Sequence, residues 1–274
     1  MINLIKKNLM QSKFSLGSWI TLAHPAIAEI MAKAGFEWLV IDLEHSVITI
    51  REAEELIRII ELCGVKPYVR LTANDSNQIK RVLDAGAQGI IVPMIKSVED
   101  VKKAADAMFY PPKGTRGVGL ARAQSYGPKF EDYLKKHLEL DLIVQIEHIE
   151  AVNQLEEILS FPKLTGFIVG PYDLSGSMGV PGNFLDLHFQ AALEKIKLVS
   201  QKYPKVKRGI HLVEPNLVQL EKMLSDGYDF IAYSVDFRIL DVGVKSAVEL
   251  IQELKNNESD CDYSSSNVSN SISQ

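Results

Sequence analysis

Short apolar runs alternate with longer amphipathic segments along most of the chain. Each run is bounded by turn residues and rich in β-branched side chains, which is typical of buried strands in a parallel sheet. The segments between the runs carry apolar residues at helical spacing, and several end at glycine, as in AKAGFEW, LCGV and LDAGAQ. This alternation predicts βα units around a parallel sheet.

Eight strands are predicted from this pattern, with a helix after each. The predicted strands are residues 15–20, 37–42, 66–70, 88–93, 141–146, 165–169, 207–211 and 229–233. The predicted helices are residues 25–34, 50–63, 76–85, 97–108, 149–160, 186–202, 214–226 and 238–255. An open doubly wound sheet uses the same units, but eight strands of similar spacing favour closure into a single (β/α)8 TIM barrel.

Two segments depart from the alternation. Residues 111–139 are too long for a simple crossover, so we interpret them as a loop that reaches over the site or toward a neighbouring subunit. Arg116 and Arg122 in this loop are candidates to close over an anionic substrate. The sequence after residue 255, NNESDCDYSSSNVSNSISQ, is rich in Ser and Asn, which predicts a disordered tail. We therefore divide the chain into a barrel domain, residues 1–255, and a tail, residues 256–274.

The composition agrees with one large α/β domain and excludes several partners. The 274 residues are 46% hydrophobic, enough for a full core. The formal net charge is -5 without a basic stripe, so nucleic acid is not an expected partner. No apolar run approaches the roughly 20 residues that cross a bilayer, and the first residues lack a signal-peptide pattern. We expect a cytoplasmic protein with no membrane partner, in which Cys63 and Cys261 build no disulfide framework.

Polar side chains follow most of the predicted strands. In a (β/α)8 barrel the catalytic residues cluster at the carboxyl ends of the strands. Scattered surface charges would not all fall at the same ends of successive strands, so the pattern predicts an active site at this rim. The residues at these ends are Trp19, Asp42, Glu44, His45, Arg70, Gln145, Glu147, Tyr172 and Asp173.

Glu147 and Asp173 follow adjacent strands and form the candidate metal site. Two carboxylates with little positive charge between them supply hard oxygen ligands suited to Mg2+ or Mn2+. The alternative is that each carboxylate caps the following helix, as Asp173 would for a helix beginning at Leu174. The sequence contains no Cys/His spacing typical of a zinc site.

His45 and Arg70 are the candidates for proton transfer and anion binding. An imidazole at this position can exchange a proton near neutral pH, although a lone histidine can equally be a hydrogen-bonded structural residue. The guanidinium of Arg70 suits a substrate carboxylate or a developing enolate or alkoxide oxygen. Its alternative role is a salt bridge to Asp42 or Glu44.

Several motifs in order give the chain a resemblance to the HpcH/HpaI aldolases, up to about residue 255. They are IDLEHS at 41–46, VR at 69–70, LDAGAQGIIVPM at 83–94, YPPKGTRGVG at 110–119, VQIE at 144–147 and VGPYDLSGSMG at 169–179. The resemblance implies a barrel of the phosphoenolpyruvate/pyruvate type and a class II aldolase, which joins or cleaves pyruvate and an aldehyde as a 4-hydroxy-2-oxo acid through a metal-stabilised enolate. It implies Mg2+ or Mn2+, with Co2+ as a further candidate, and no Schiff-base lysine.

The resemblance also implies roles for individual residues. Glu147 and Asp173 hold the metal, and Asp173 also contacts the substrate. His45 is the acid/base, Arg70 stabilises the transition state and Gln145 binds the substrate. The remaining implied substrate contacts are the backbone at Tyr172 and an apolar wall around the aldehyde, formed by Trp19, Val118 and Leu212.

Asp84 is implied to raise the basicity of His45, as a carboxylate partner stabilises an imidazolium. Asp84 ends a predicted helix at the opposite face of its own barrel, so it can reach His45 only from a neighbouring subunit. We therefore expect a homo-oligomer, a trimer or a hexamer, with shared active sites.

Other functions stay open. A CoA-ester lyase of the citrate lyase or malyl-CoA type shares the metal–enolate chemistry, but the sequence shows no basic cluster placed for a CoA phosphate. A phosphoenolpyruvate mutase-like enzyme would need a phosphate-binding loop, which the sequence lacks. A non-catalytic barrel that binds a metabolite would be expected to have lost a member of the rim set.

Overall fold

The structure, a computed structural model, describes residues 14–268, with side chains described as far as Gln252. Parallel strands form a closed barrel in chain order, and β8 pairs with β1. The closed TIM barrel predicted from the sequence is confirmed, and the open sheet is wrong. The strands are β1 (Ser15–Ile20), β2 (Trp38–Asp42), β3 (Lys66–Arg70), β4 (Gly89–Val92), β5 (Asp141–Ile146), β6 (Gly166–Val169), β7 (Lys207–Leu212) and β8 (Phe230–Val235).

Helices surround the barrel close to the predicted positions. They are α1 (Pro25–Lys33), α2 (Ile50–Leu62), α3 (Ser76–Asp84), α4 (Val98–Met108), α5 (Phe130–Lys136), α6 (Ile149–Asn153), α7 (Leu155–Leu159), α8 (Pro171–Ser177), α9 (Leu187–Ser200), α10 (Leu217–Ser225) and α11 (Asp236–Val268). The helix predicted at 149–160 is divided at Gln154, while α5 and α8 fall in stretches that the pattern left as loops. Across the described residues, no helix is both long enough and apolar enough to cross a bilayer.

The last helix extends beyond its predicted end. The backbone of α11 is helical to Val268, whereas the composition predicts disorder from residue 256. No glycine or proline interrupts the chain after Gly243, so no residue forces the helix to end. The other part of the predicted tail, residues 269–274, lies outside the described residues, and the division into a barrel domain and a tail stays a prediction.

Side-chain alternation along each strand determines which residues reach the active-site rim. Every second residue of a barrel strand points inward. In β2 the inward series runs from Trp38 through Val40 to Asp42, and in β5 it runs from Ile143 to Gln145. The inward series are apolar at mid-barrel and polar at the carboxyl end, because the middle is packed dry and the end opens to a cavity.

Glycines make room for large rings at the amino end of the barrel. A Cβ atom on Gly17 would lie 2.1 Å from the ring of Trp38, and one on Gly209 would lie 2.9 Å from the ring of Phe230. The rings of Trp38 and Phe230 stack with their centroids 4.2 Å apart. These rings fill the base of the barrel beneath the site.

The Gly17→Ala substitution is expected to lower the free energy of unfolding by about 2–3 kcal/mol, because the new methyl group overlaps a fully packed indole. Chemical denaturation measures this loss. Gly243→Ala in α11 is the matched control, since nothing lies within 4 Å of its Cβ position and alanine favours a helix. Equal stability of the two variants would contradict the close approach at Gly17.

Candidate active site

A cavity of about 330 Å³ opens at the carboxyl ends of the strands. It brings together side chains from strands that are distant in the sequence. Six of the residues predicted for the site line this cavity: Trp19, His45, Arg70, Gln145, Tyr172 and Asp173. Glu147 lies directly behind the wall, bonded to Gln145.

Arg70 lies at the centre of an ion-pair network. Its Nε is 2.9 Å from Asp42 Oδ1, its Nη2 is 2.6 Å from Asp42 Oδ2, and its Nη1 is 3.1 Å from Glu44 Oε2. The guanidinium carbon also lies 4.4 Å from the centroid of the Trp19 ring. The alternative of a salt bridge to Asp42 and Glu44 is therefore present in the structure. Because Arg70 still lines the cavity, the same contacts orient the guanidinium toward a bound anion.

Asp42 belongs to the site, as its predicted place at the rim indicates, although sequence reasoning assigned it no role beyond that of a partner for Arg70. It is 2% exposed and accepts from the backbone N–H groups of Glu44 and His45, at 2.9 and 3.3 Å. These bonds hold the loop after β2 against the barrel. Asp42 follows Val40 in the inward series of β2, and its side chain lines the cavity.

Glu147 is buried and held by two donors. The backbone N–H of Met94 lies 2.7 Å from Oε1, and Nε2 of Gln145 lies 2.8 Å from Oε2. Met94 has φ +53°, a left-handed conformation that is uncommon for methionine. A Cβ atom on Gly170 would lie 2.6 Å from Glu147 Oε2, so only glycine leaves room for this carboxylate.

Neither carboxylate of the predicted metal pair caps a helix. The N-cap of α6 is His148, whose side chain accepts from the backbone of Glu150. Helix α8 begins at Pro171 with Gly170 as an N-cap that makes no side-chain bond, and Asp173 lies exposed in its first turn. The capping alternative is therefore wrong for both Glu147 and Asp173.

The oxygen donors at the rim fit a hard divalent cation. Burial, together with the negative charges of Glu44 and Asp173, raises the pKa of Glu147 to about 7. Oε1 of Gln145 is buried without a partner among the described residues. Within the described range, no three His, Cys, Asp or Glu side chains form a ready metal cage. Two carboxylates would thus serve as protein ligands, and substrate and water oxygens would complete the coordination.

The metal-free protein is expected to lose stability as the pH rises from about 5 to about 8. An unfolded glutamate releases its proton near the ordinary pKa of 4.5, whereas burial holds the pKa of both Glu44 and Glu147 at about 7. Between these pKa values the folded state binds more protons, so the free energy of unfolding falls with rising pH until both groups ionise. Denaturation in EDTA should show a loss on the order of 2 kcal/mol, and a profile that is flat or rises would contradict it.

His45 stands at the mouth of the cavity with a largely exposed ring. Its Nε2 lies 3.9 Å from Glu44 Oε2, and its backbone is fixed by Asp42. Asp84 does not reach it within this chain. Oδ1 of Asp84 instead lies 2.6 Å from Nη2 of Arg116, at the opposite end of the barrel, because α3 runs away from the rim.

The interpretation of Arg116 and Arg122 as arginines that close over a substrate is wrong. Arg116 is buried, donates to the hydroxyl of Tyr133 at 3.1 Å and pairs with Asp84. Arg122 donates to the carbonyl of Ala85 at 3.1 Å and pairs with Glu61. Both arginines hold their loop against the ends of α2 and α3, at the face opposite the cavity.

Two residues of the predicted apolar wall do not line the cavity. Val118 is 58% exposed on the loop held by Arg116. Leu212 is buried, but it is out of phase with the inward series of β7, in which Gly209 is followed by His211 and Val213. The residue that lines the cavity at the end of β7 is therefore His211. Strict alternation from Gly209 could have found it.

Comparisons with known proteins indicate the family of this chain. The profile of the family described as HpcH/HpaI aldolase/citrate lyase matches residues 15–240. A 4-hydroxy-2-oxo-heptane-1,7-dioate aldolase of Salmonella paratyphi A is 36% identical over 251 residues, which cover 90% of this chain and 93% of the relative.

Two solved structures share the fold. A protein of the same family from Burkholderia cenocepacia J2315 superposes with a TM-score of 0.83 at 28% identity, over 92% of this chain and 100% of that chain. The HpcH/HpaI aldolase of Desulfitobacterium hafniense DCB-2 superposes with a TM-score of 0.81 at 27% identity, over 90% and 96% of the two chains. The profile match and the 36% identity over nine-tenths of the sequence show that this chain belongs to the HpcH/HpaI aldolase/citrate lyase family.

Proposed function

We propose that this protein is a divalent-metal-dependent aldolase that cleaves or forms 4-hydroxy-2-oxo acids, with pyruvate and an aldehyde as the two parts. The observation that carries the proposal is the convergence of Arg70, Gln145, Asp173 and His45 on one cavity, with Glu147 directly behind it. A relative with 36% identity bears the name of such an aldolase.

Glu147 and Asp173 would hold Mg2+ or Mn2+, with Co2+ as a further candidate. When bound, the ion supplies a Lewis acid that polarises the 2-oxo group and stabilises negative charge on its oxygen. Gln145 places its amide between Glu147 and the cavity, where it can bind the substrate. Of the described residues, none that lines the cavity is a lysine, and the proposed chemistry uses no Schiff base.

Arg70 and His45 would have separate roles. Arg70 would stabilise the developing negative charge, and His45 would transfer the proton of the 4-hydroxyl group. The guanidinium of Arg70, held in place by Asp42 and Glu44, would face the oxygen on which charge develops. His45 would take the proton of the 4-hydroxyl group during cleavage and return it during synthesis. The backbone at Tyr172, beside Asp173 in the first turn of α8, would contact the pyruvate part.

We infer that the active protein is a homo-oligomer, a trimer or a hexamer, with shared sites. Within one chain Asp84 lies far from His45, so it can raise the basicity of His45 only from a neighbouring subunit; Val118 would reach an aldehyde in the same way. Five of the exposed apolar side chains of α11 form a stripe at helical spacing, which supports burial against another copy. They are Phe237, Leu240, Val244, Val248 and Ile251. A monomer with full activity in sedimentation and activity measurements would contradict the inference.

The first test is the release of pyruvate from a 4-hydroxy-2-oxo acid, with and without added Mg2+ or Mn2+ and with EDTA. We expect release that EDTA abolishes and metal restores. Absence of release with several aldehyde lengths and metals, together with cleavage of an acyl-CoA ester, would favour the CoA-ester lyase instead. Absence of both reactions would favour a non-catalytic metabolite-binding barrel. A cytoplasmic location stays a prediction from the sequence.

A further inference from the structure

His211 is a cavity residue that the proposed chemistry does not use. It follows Gly209 in the inward series of β7 and lines the same cavity as Arg70 and Asp173. Its ring stacks on Trp19, with the centroids 4.9 Å apart and the planes inclined by 20°. The stacking holds the imidazole in one orientation at the wall of the cavity.

The tautomer of His211 follows from its hydrogen bond. Nε2 lies 3.1 Å from the backbone carbonyl oxygen of Ser234. A carbonyl oxygen can only accept, so Nε2 must carry the proton and, in the neutral ring, Nδ1 must carry a lone pair. No group among the described residues donates to Nδ1. The ring therefore holds a free acceptor at the cavity wall.

The carbonyl that orients His211 is itself held in place. Ser234 has φ +57°, a left-handed conformation, and the pairing of β8 with β1 shifts register between Gly17 and Trp19. Oγ of Ser234 donates to the carbonyl of Val213 at 2.9 Å, and Oγ of Ser18 lies 3.3 Å from the Ser234 carbonyl oxygen. Such a strained, fully bonded irregularity at the end of a barrel strand re-aims a group toward a site.

The surroundings of His211 favour a neutral ring and disfavour an anion. Burial, with a contribution from Arg70, lowers the pKa of His211 to about 4. Within the described part of the chain, Arg70 is the one lysine or arginine that lines the cavity, and Asp42 and Glu44 already pair with it. The wall around His211 thus offers a lone pair, which suits a hydroxyl group.

We propose that His211 determines specificity by accepting a hydrogen bond from a hydroxyl group on the aldehyde-derived part of the substrate. The inference rests on the proposed aldolase function and deepens it. The proposal predicts that this protein prefers hydroxyaldehydes as aldehyde substrates over aldehydes with an alkyl or carboxylate group at the same position. A carboxylate there would meet the Nδ1 lone pair, whereas a hydroxyl group would donate to it.

Glycolaldehyde and propanal are the probes, because they differ by a hydroxyl group in place of a methyl group. The reaction measured is the aldol addition of pyruvate to each aldehyde. For each variant we compare kcat/KM for glycolaldehyde with kcat/KM for propanal and report their ratio. Using a ratio cancels any general loss of activity. For the wild type we expect a ratio of about ten or more. Glycolaldehyde would form a neutral hydrogen bond with Nδ1, whereas propanal would leave Nδ1 buried without a donor.

His211→Leu removes the acceptor and is expected to bring the ratio down about tenfold relative to the wild type. His211→Asn places an amide oxygen near the position of Nδ1 and is expected to keep a ratio well above that of the leucine variant. His188→Leu, on the exposed surface of α9, is the matched control and should leave the ratio unchanged.

Two outcomes would overturn the inference alone: an unchanged ratio in His211→Leu, or an equal fall in the leucine and asparagine variants. Exchange of the pyruvate methyl protons with D2O, followed by NMR in wild-type protein with metal, reports enolate formation without any aldehyde. Absence of exchange together with absence of addition would overturn the proposed function, and the inference with it. Normal exchange with an unaltered aldehyde ratio would overturn only the role of His211.

Discussion

Glu147→Gln is expected to lower kcat/KM for pyruvate release by roughly 10³-fold, a loss of several kcal/mol in transition-state stabilisation. The change is nearly isosteric. The new amide oxygen can accept from Met94, and Gln145 keeps a partner by turning its amide so that its Oε1 accepts from the new NH2 group. The negative charge that would attract a divalent cation is gone. A steady-state assay over a range of Mn2+ concentrations measures the effect. Excess metal should recover only part of the activity.

The same variant should be more stable than the wild type when metal is absent. Burial and neighbouring carboxylates raise the pKa of Glu147 to about 7. At pH 8 the folded protein therefore contains a buried negative charge that lowers its stability, and glutamine removes this charge. We expect a gain on the order of 1 kcal/mol in EDTA. Loss of activity with a gain in stability separates a functional role from a structural one.

Glu157→Gln is the matched control for this variant, because Glu157 lies exposed on α7. It should change neither activity nor stability. If Glu147→Gln retained activity within about tenfold of the wild type, the assignment of Glu147 as a metal ligand would be wrong.

Arg70→Lys is expected to lower kcat/KM by about 10²–10³-fold although the charge is retained. Arg70 contacts both oxygens of Asp42 and one oxygen of Glu44 at 3.1 Å or less. A single ammonium cannot span these contacts and also keep the guanidinium's approach of 4.4 Å to the centroid of the Trp19 ring. The ammonium of the lysine variant would therefore lie in the wrong position to stabilise the negative charge that develops on the substrate oxygen.

Arg70→Lys should also lower the free energy of unfolding. Asp42 is 2% exposed, and a buried carboxylate that loses part of its bidentate partner is costly, by about 1–3 kcal/mol. Arg58→Lys is the matched control, because Arg58 forms an exposed ion pair with Glu54 at 3.1 Å, and such pairs contribute little. Equal behaviour of the two lysine variants would show that the network around Arg70 is dispensable.

The strands and most helices could be predicted because their signal is local. A barrel strand buried on both faces must be a short apolar run, and the helix that covers it must carry an apolar stripe, so the periodicity of β2 and α2 appears in neighbouring residues. The rim residues followed from the same rule. Arg70 and Gln145 are polar side chains placed where an apolar run ends, and in a closed barrel all such ends meet at one face.

The errors arose where a side chain's neighbours are distant in the sequence. Arg116 looked like a substrate-binding arginine on a glycine-rich loop, but Asp84 and Tyr133, 32 and 17 residues away, hold it buried. Leu212 and His211 are adjacent, and a shift of one position along a strand exchanges the barrel interior for its exterior. Alternation from Gly209 favours His211, and the pairing of β7 with its neighbours establishes that His211 faces the cavity.

Local patterns were thus sufficient for the fold class, the order of the strands and the identity of most rim residues, because periodicity and strand ends are properties of consecutive residues. Closure of the barrel was needed for the rest. It paired Arg70 with Asp42, placed Met94 and Gly170 around Glu147, and separated Asp84 from His45. It also set the register shift that aims the Ser234 carbonyl at His211. These contacts join strands far apart in the chain, and their geometry depends on register and on side-chain packing, which no short stretch of sequence encodes.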